Sequence, residues 1–182
     1  MTINETSLKD VKIIEPDVFT DNRGFFLESY SSAKFLAAGI TDVFIQDNHS
    51  LSKAKGTLRG LHFQLNPKAQ AKIVRCTRGA VLDVAVDIRK SSPTYGKWVA
   101  FELSAENFRQ VYIPAGFTHG FLTLTDDVEI QYKTSELYVK DLDRCIRWDD
   151  PEIGVDWGIE NPILSEIDAI APLLRECENN FE

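Results

Sequence analysis

A chain of 182 residues is the length of one domain and can bury a substantial core. Asp and Glu total 28 against 20 Lys and Arg, a formal net charge of −8; this excludes general nucleic-acid binding, but not the gathering of an anionic small molecule by a few arginines in one cleft. No apolar run is long enough to span a bilayer, Met1-Thr2-Ile3-Asn4-Glu5 has no secretory-signal character, and Cys76, Cys145 and Cys177 make no disulfide framework, so the expected location is the cytoplasm.

Short apolar or alternating segments recur with turn signals between them, which predicts an all-β sandwich or barrel in one domain over residues 1–182. In chain order the predicted strands are 12–14, 24–30, 43–48, 58–64, 72–78, 80–88, 98–103, 110–113, 120–125 and 128–134. Turns are expected at Asp21-Asn22-Arg23-Gly24, Arg78-Gly79, Ser92-Pro93-Thr94-Tyr95-Gly96 and Thr125-Asp126-Asp127. In strand 80–88, Val81, Asp83, Ala85 and Asp87 share one face, and Leu82, Val84, Val86 and Ile88 the other. Helix signals are few. Ser31 or Ser32 can cap a helix running to Ala38 and stopped by Gly39, and a second short one is expected from Ser165 until Pro172. The tail around Trp148, Pro151, Trp157 and Pro162 is expected to wrap irregularly over the barrel, its tryptophans serving as packing anchors.

Two histidines carry the chemical signal. His62 lies in Leu58-Arg59-Gly60-Leu61-His62-Phe63-Gln64, and His119 follows the Ile113-Pro114-Ala115-Gly116-Phe117-Thr118 stretch and precedes Gly120-Phe121. Such segments belong to double-sheet jelly-roll barrels of the cupin type, where matching strands line a metal site. Here the place of a second ligand, two after His62, is Gln64. Two imidazoles without a thiolate nearby or a carboxylate as third ligand are too few for a defined transition-metal shell. The expectation is a barrel with no metal and no cofactor, in which a histidine in a dry pocket works as a base.

Strict alternation puts Leu58, Gly60, His62 and Gln64 on one face and sends Arg59 to the other, unless Gly60 sits at a bulge or the strand begins at Leu61. Taken alone, His119 is structural or ligand-binding. Tyr132 is either core with a bonded hydroxyl or an acid facing a histidine across the barrel. Arg23, Arg59, Lys72, Arg75 and Arg78 crowd the first half of the chain. Arginines on inward strands and at a tight turn suggest a phosphate or carboxylate site. The polar run Gln46-Asp47-Asn48, after Val43 and Ile45, hints at hydrogen bonds to a ligand. No glycine-rich phosphate loop is present, so side chains would hold any phosphate.

Together, Asp21-Asn22-Arg23-Gly24-Phe25-Phe26-Leu27-Glu28, Gln46-Asp47-Asn48, the His62 and His119 segments, Tyr132-Lys133, Ile146-Arg147-Trp148-Asp149-Asp150-Pro151 and Ile163-Leu164-Ser165-Glu166 up to Asp168 resemble the dTDP-4-dehydrorhamnose 3,5-epimerase family. The resemblance spans nearly the whole chain. It implies a metal-free, cupin-like jelly-roll dimer that inverts carbons 3 and 5 of dTDP-4-dehydro-6-deoxyglucose on the way to dTDP-rhamnose. By similarity His62 is the base, Asp168 orients it, and Tyr132 returns a proton from the other side. Lys72 would steady the enolate oxygen, with Asp83 beside it. Arg59, His119, Gln46, Asp47 and Asn48 would hold sugar and diphosphate, Tyr138 would stack on thymine, and Asp143 would stand near the nucleotide. Arg23, Phe26 and Glu28 would come from the neighbouring subunit. Two positions depart from the family pattern: Ile167 replaces a ligand-contacting lysine, and Cys145 a glycine.

Three rival readings share the same residues. One is an epimerase acting at carbon 3 only or carbon 5 only, for another deoxysugar. The second is a non-catalytic sugar-nucleotide-binding cupin, which has no need of His62, Tyr132 and Asp168 together. The third is a metal-dependent cupin oxygenase.

Overall fold

The computed structural model describes all of residues 1–182. In chain order it contains β1 (Thr2–Glu5), β2 (Lys12–Glu15), β3 (Val18–Asp21), β4 (Gly24–Leu27), α1 (Ser32–Ala37), β5 (Gln46–Ser52), β6 (Leu58–Gln64) and β7 (Lys72–Arg78). There follow β8 (Ala80–Asp87), β9 (Trp98–Ser104), β10 (Gln110–Ile113), β11 (Phe117–Thr123), β12 (Val128–Thr134), β13 (Asp143–Cys145) and α2 (Glu166–Ala169). Two antiparallel sheets face each other, in the orders β1-β2-β10-β7-β12-β5 and β13-β6-β11-β8-β9, and β3 and β4 form a separate ribbon. This is an all-β, cupin-type jelly roll with short helices and an irregular tail. No helix is long and apolar enough to cross a membrane.

Alternation decides where the core lies. Val74 and Cys76 of β7, Val81 and Ala85 of β8, Val111 and Ile113 of β10, Phe117 and Phe121 of β11, and Val128 and Ile130 of β12 meet between the sheets. The opposite face of β8, with Val84, Val86 and, one residue past its end, Ile88, is buried too, under Ile153, Trp157, Leu174 and Phe181 of the tail. A strand apolar on both faces is what a central strand between two layers requires. Trp157 is an anchor as its sequence context suggests: its ring is buried and Nε1 donates to the Trp148 carbonyl at 2.8 Å. On the six-stranded sheet, Ile14, Ile73 and Tyr112 are capped by Phe35 of α1 and by Ile40.

Several element bounds differ from the sequence expectation. The strand expected over 43–48 begins only at Gln46 and continues to Ser52, and Val43 and Ile45 are 74% and 53% exposed. The one expected over 24–30 stops at Leu27, because its sole partner is the four-residue β3. The 120–125 strand starts earlier, at Phe117, directly after Gly116 takes its positive φ of 89°. β1, β3 and β13 are too short and polar to have been read.

The decisive local feature is in β6. Arg59 pairs with Phe121 and His62 with His119, so two β6 residues oppose the single Gly120. The extra residue is a β-bulge, and it turns Arg59 and His62 to the same side. Leu61, left over by β11, exchanges both backbone bonds with Ile146, at 3.1 and 2.8 Å. The bulge demands glycine. Gly60 has φ of 121°, and a Cβ there would lie 2.6 Å from the Gly120 Cα and 2.7 Å from the His119 carbonyl oxygen. Gly60→Ala is therefore expected to cost about 3 kcal/mol of unfolding free energy or more, read by urea denaturation. A loss under about 1 kcal/mol would mean that β11 yields to the methyl group.

Candidate active site

Between the sheets lies a cavity of about 360 Å³, lined among others by Arg59, His62, Lys72, His119, Tyr132 and Asp168. They arrive on five different elements. β6 supplies Arg59 and His62 through its bulge, β7 supplies Lys72 at its first residue, and β11 and β12 supply His119 and Tyr132. Asp168 comes from α2 in the tail. That helix is docked by backbone bonds from Leu58 N–H to the Ile163 carbonyl at 2.9 Å and from Ile163 N–H to the Gly56 carbonyl at 2.8 Å.

Asp168 Oδ1 lies 2.6 Å from His62 Nε2. The carboxylate is almost fully buried while the imidazole keeps 40% of its side-chain surface. Burial by itself would raise the Asp168 carboxyl, but the hydrogen bond and charge of His62, helped by the Ser165 hydroxyl and the Gly60 N–H, hold it below the usual carboxylate range. Ser165 caps α2: its Oγ accepts from the Asp168 N–H at 3.1 Å and donates to Asp168 Oδ2 at 2.8 Å. With Nε2 engaged, Nδ1 is the ring nitrogen that can accept a proton.

A second imidazole–carboxylate pair stands beside the first. His119 Nε2 is 2.9 Å from Asp83 Oδ2, and both side chains are buried. Asp83 Oδ1 has no hydrogen-bond partner. Sequence reasoning put Asp83 beside Lys72; its charge does act on Lys72, but its hydrogen bond goes to His119. Lys72 Nζ lies 3.4 Å from the His62 carbonyl. Burial pushes its amine down to about 8, against the opposing pull of Asp143 and Asp83. Burial, with the Asp143 charge, pushes the Tyr132 phenol up, opposed by Arg59, so the phenol keeps its proton at neutral pH. Arg59 is braced by Ser52 Oγ at 3.0 Å and the Leu51 carbonyl at 3.3 Å.

The remaining expected residues lie outside the cavity. Gln46 and Asn48 face inward on β5 and bond each other at 3.0 Å. Near them, the Tyr138 hydroxyl donates to Asp143 Oδ2 at 3.2 Å, and the Tyr138 N–H reaches Gln46 Oε1 at 3.4 Å. Asp47 does not join them: alternation turns it to the other face of the sheet, where it pairs with Lys133 at 2.7 Å. Arg23 and Glu28 are also away from the cavity of their own chain. Arg23 pairs with Asp21 at 2.5 Å on the exposed ribbon, and Glu28 with Lys34 at 2.9 Å. Ile167 is exposed on α2, and Cys145 sits opposite His62 in the β13–β6 register. Ser165 was missed as a site residue, although Ser165-x-x-Asp168 has the spacing of a capping box. No group of three or more His, Cys, Asp or Glu side chains is arranged to hold a metal ion.

The family model described as dTDP-4-dehydrorhamnose 3,5-epimerase matches residues 5–176. A Shigella flexneri protein named dTDP-4-dehydrorhamnose 3,5-epimerase is 55% identical over 169 residues, covering 92% of this chain and 93% of that protein. The crystal structure of a dTDP-4-dehydrorhamnose 3,5-epimerase from Bacillus anthracis, with TDP and PPi bound, superposes with a TM-score of 0.92 at 47% identity, covering 94% of this chain and 98% of that one. A dTDP-6-deoxy-D-glucose-3,5-epimerase from Legionella pneumophila, in complex with dTDP-4-keto-L-rhamnose, superposes with a TM-score of 0.92 at 44% identity, covering 96% and 93%.

The lowered amine of Lys72 yields a titration prediction. Lysine side-chain NMR should find one amine, missing from Lys72→Met, that loses its charge near pH 8 instead of near 10.5. Between those values the unfolded chain binds the additional proton, so this group makes stability rise with pH. All lysines titrating together near the ordinary value would contradict the burial of Lys72.

Proposed function

The chain belongs to the dTDP-4-dehydrorhamnose 3,5-epimerase family, and we propose that His62 removes the protons on which its isomerase activity depends. It inverts carbons 3 and 5 of dTDP-4-dehydro-6-deoxyglucose, giving dTDP-4-dehydrorhamnose for dTDP-rhamnose synthesis. The observation that carries the role of His62 is the buried Asp168 carboxylate 2.6 Å from its Nε2.

The protons at carbons 3 and 5 flank the carbon-4 ketone, so removing either one leaves an enolate. In the proposed mechanism His62 Nδ1 takes the proton, and the resulting imidazolium is stabilised by Asp168, the service a carboxylate gives histidine in a catalytic triad. The Lys72 ammonium faces the developing enolate oxygen; a fixed charge in a largely dry cavity lowers that barrier more than the same charge in water would. Tyr132, kept protonated by burial, delivers a proton to the opposite face. Each inversion leaves an imidazolium and a phenolate, which water resets. Each inverted carbon thus gains one solvent proton, with neither metal nor cofactor taking part. Arg59, His119, Gln46 and Asn48 bind the sugar and diphosphate, and Tyr138 and Asp143 form the nucleotide end. Asp47 acts through its backbone at most, given where its side chain points.

The proposed active unit is a homodimer of this single domain, working in the cytoplasm, where its three free thiols stay reduced. Support for the dimer comes from the β3–β4 ribbon: Phe19, Phe25 and Phe26 are 65%, 60% and 70% exposed. An unpartnered apolar ribbon calls for cover, and two-fold pairing would carry Arg23, Phe26 and Glu28 to the other chain's nucleotide.

The primary test is incubation with dTDP-4-dehydro-6-deoxyglucose in heavy water. Wild type should incorporate deuterium at carbons 3 and 5, His62→Asn at neither, and Tyr132→Phe should exchange with much reduced inversion. Exchange persisting in His62→Asn would transfer the base role to His119, and label at one carbon in wild type would mean a single-centre epimerase. For the dimer, His62→Ala chains mixed with Arg23→Ala chains should regain activity, because every heterodimer carries one site free of both lesions. No recovery after confirmed subunit exchange would remove the shared site.

A further inference from the structure

One buried side chain links the proposed base to the proposed nucleotide end. Gln64, two residues after His62 on β6, is 3% exposed. Its Nε2 donates to the Leu137 carbonyl at 3.0 Å and to the Lys68 carbonyl, and its Oε1 accepts from the Val139 N–H at 2.7 Å. Both amide donors and the acceptor are thus committed to main chain. The Leu137 carbonyl belongs to the peptide before Tyr138, and the Val139 N–H to the peptide after it. One amide therefore grips both peptide planes that set the φ and ψ of Tyr138, and with them the direction in which its ring leaves the backbone.

The ring needs such help. It is 55% exposed, and its side chain makes one hydrogen bond, from the hydroxyl to Asp143 at 3.2 Å. An exposed aromatic that must stack on a ligand binds more tightly when its backbone is fixed in advance, because less motion is lost on binding. A glutamate at 64 could still accept from Val139, but it would turn oxygen instead of N–H toward two carbonyls. That asymmetry makes glutamine, and not merely a polar residue of its size, the fitting choice.

We propose that Gln64 is a positioning residue that pre-orients Tyr138 for the nucleotide base, so that β6 carries the proton-transfer histidine and the brace for nucleotide binding two residues apart. The inference rests on the epimerase reading for the identity of the ligand, but not for the clamp itself.

The test compares Gln64→Glu, Tyr138→Ala and the double variant by dTDP titration and by steady-state epimerisation. Gln64→Glu should raise KM and the dTDP Kd by at least about tenfold, with a much smaller change in kcat. In the double variant it should add little to the loss caused by Tyr138→Ala, since both act through one ring. Losses that multiply in the double variant, or that fall on kcat with KM unchanged, would overturn the proposal by marking Gln64 as a general support of the fold. Gln64→Met, which removes the amide without adding charge, carries the same test should the glutamate variant not fold. Amide hydrogen exchange on ligand-free wild type is independent of either variant. The Val139 N–H should be protected before any nucleotide is added, and fast exchange there would also overturn the clamp. A wild type that neither binds dTDP nor epimerises would instead defeat the epimerase reading, leaving the Val139 result to judge the clamp alone.

Discussion

Asp168 follows His62 by 106 residues, yet its carboxylate lies 2.6 Å from the imidazole, and much of the architecture serves that contact. The bulge at Gly60, pressed against Gly120, faces His62 into the cavity. The tail lays Trp157 across the outer face of the smaller sheet, passes through Ile163 at the start of β6, and after α2 adds Leu174 and Phe181 to that same face. Ser165 caps a helix of only four residues and holds the second carboxylate oxygen. The cost of burying this carboxylate is offset by bonds to both its oxygens and by the imidazole beside it. The tail is thus part of the site, and not merely a cover over the barrel.

Two imidazole–carboxylate pairs side by side invite comparison, because His62 and His119 are register partners on β6 and β11. Their surroundings separate them. His62 keeps 40% of its side-chain surface and draws its carboxylate from the tail, whereas His119 keeps 10% and draws Asp83 from the neighbouring β8. A base must reach both its substrate and the water that resets it, which suits His62; a fixed donor or acceptor to a ligand suits His119. Lys72 sits near both, its amine lowered by burial yet still charged at neutral pH. The positive charge that the proposed mechanism offers an enolate is thus held by the sheet and does not have to be recruited from solvent.

How much of this was legible in the sequence depended on whether the signal was local. β6, β7, β10 and β12 have the bounds that alternation gives, and the two-faced burial of β8 follows from its pattern. Alternation starting at Gln46 would also have put Asp47 on the far face, had the strand not been begun at Val43. The side on which Arg59 lies could not be decided, because a bulge depends on the strand opposite, and the methyl-free approach of Gly60 to Gly120 exists only in the fold. The charge of Asp83 acts on Lys72 as the resemblance implies, but its hydrogen bond to His119 was not legible, since cross-strand neighbours are set by register and not by residue type. The contact between His62 and Asp168 was legible only through resemblance to a family, as no spacing rule joins a strand to a distant one-turn helix.

The dyad is tested most directly by Asp168→Asn, which keeps the shape of the side chain and removes its charge. Solvent-deuterium exchange at carbons 3 and 5 should fall by at least about a hundredfold at saturating substrate, while dTDP affinity stays near that of wild type. Exchange within a few-fold of wild type would mean that His62 works without its buried carboxylate, and would contradict the account at its centre.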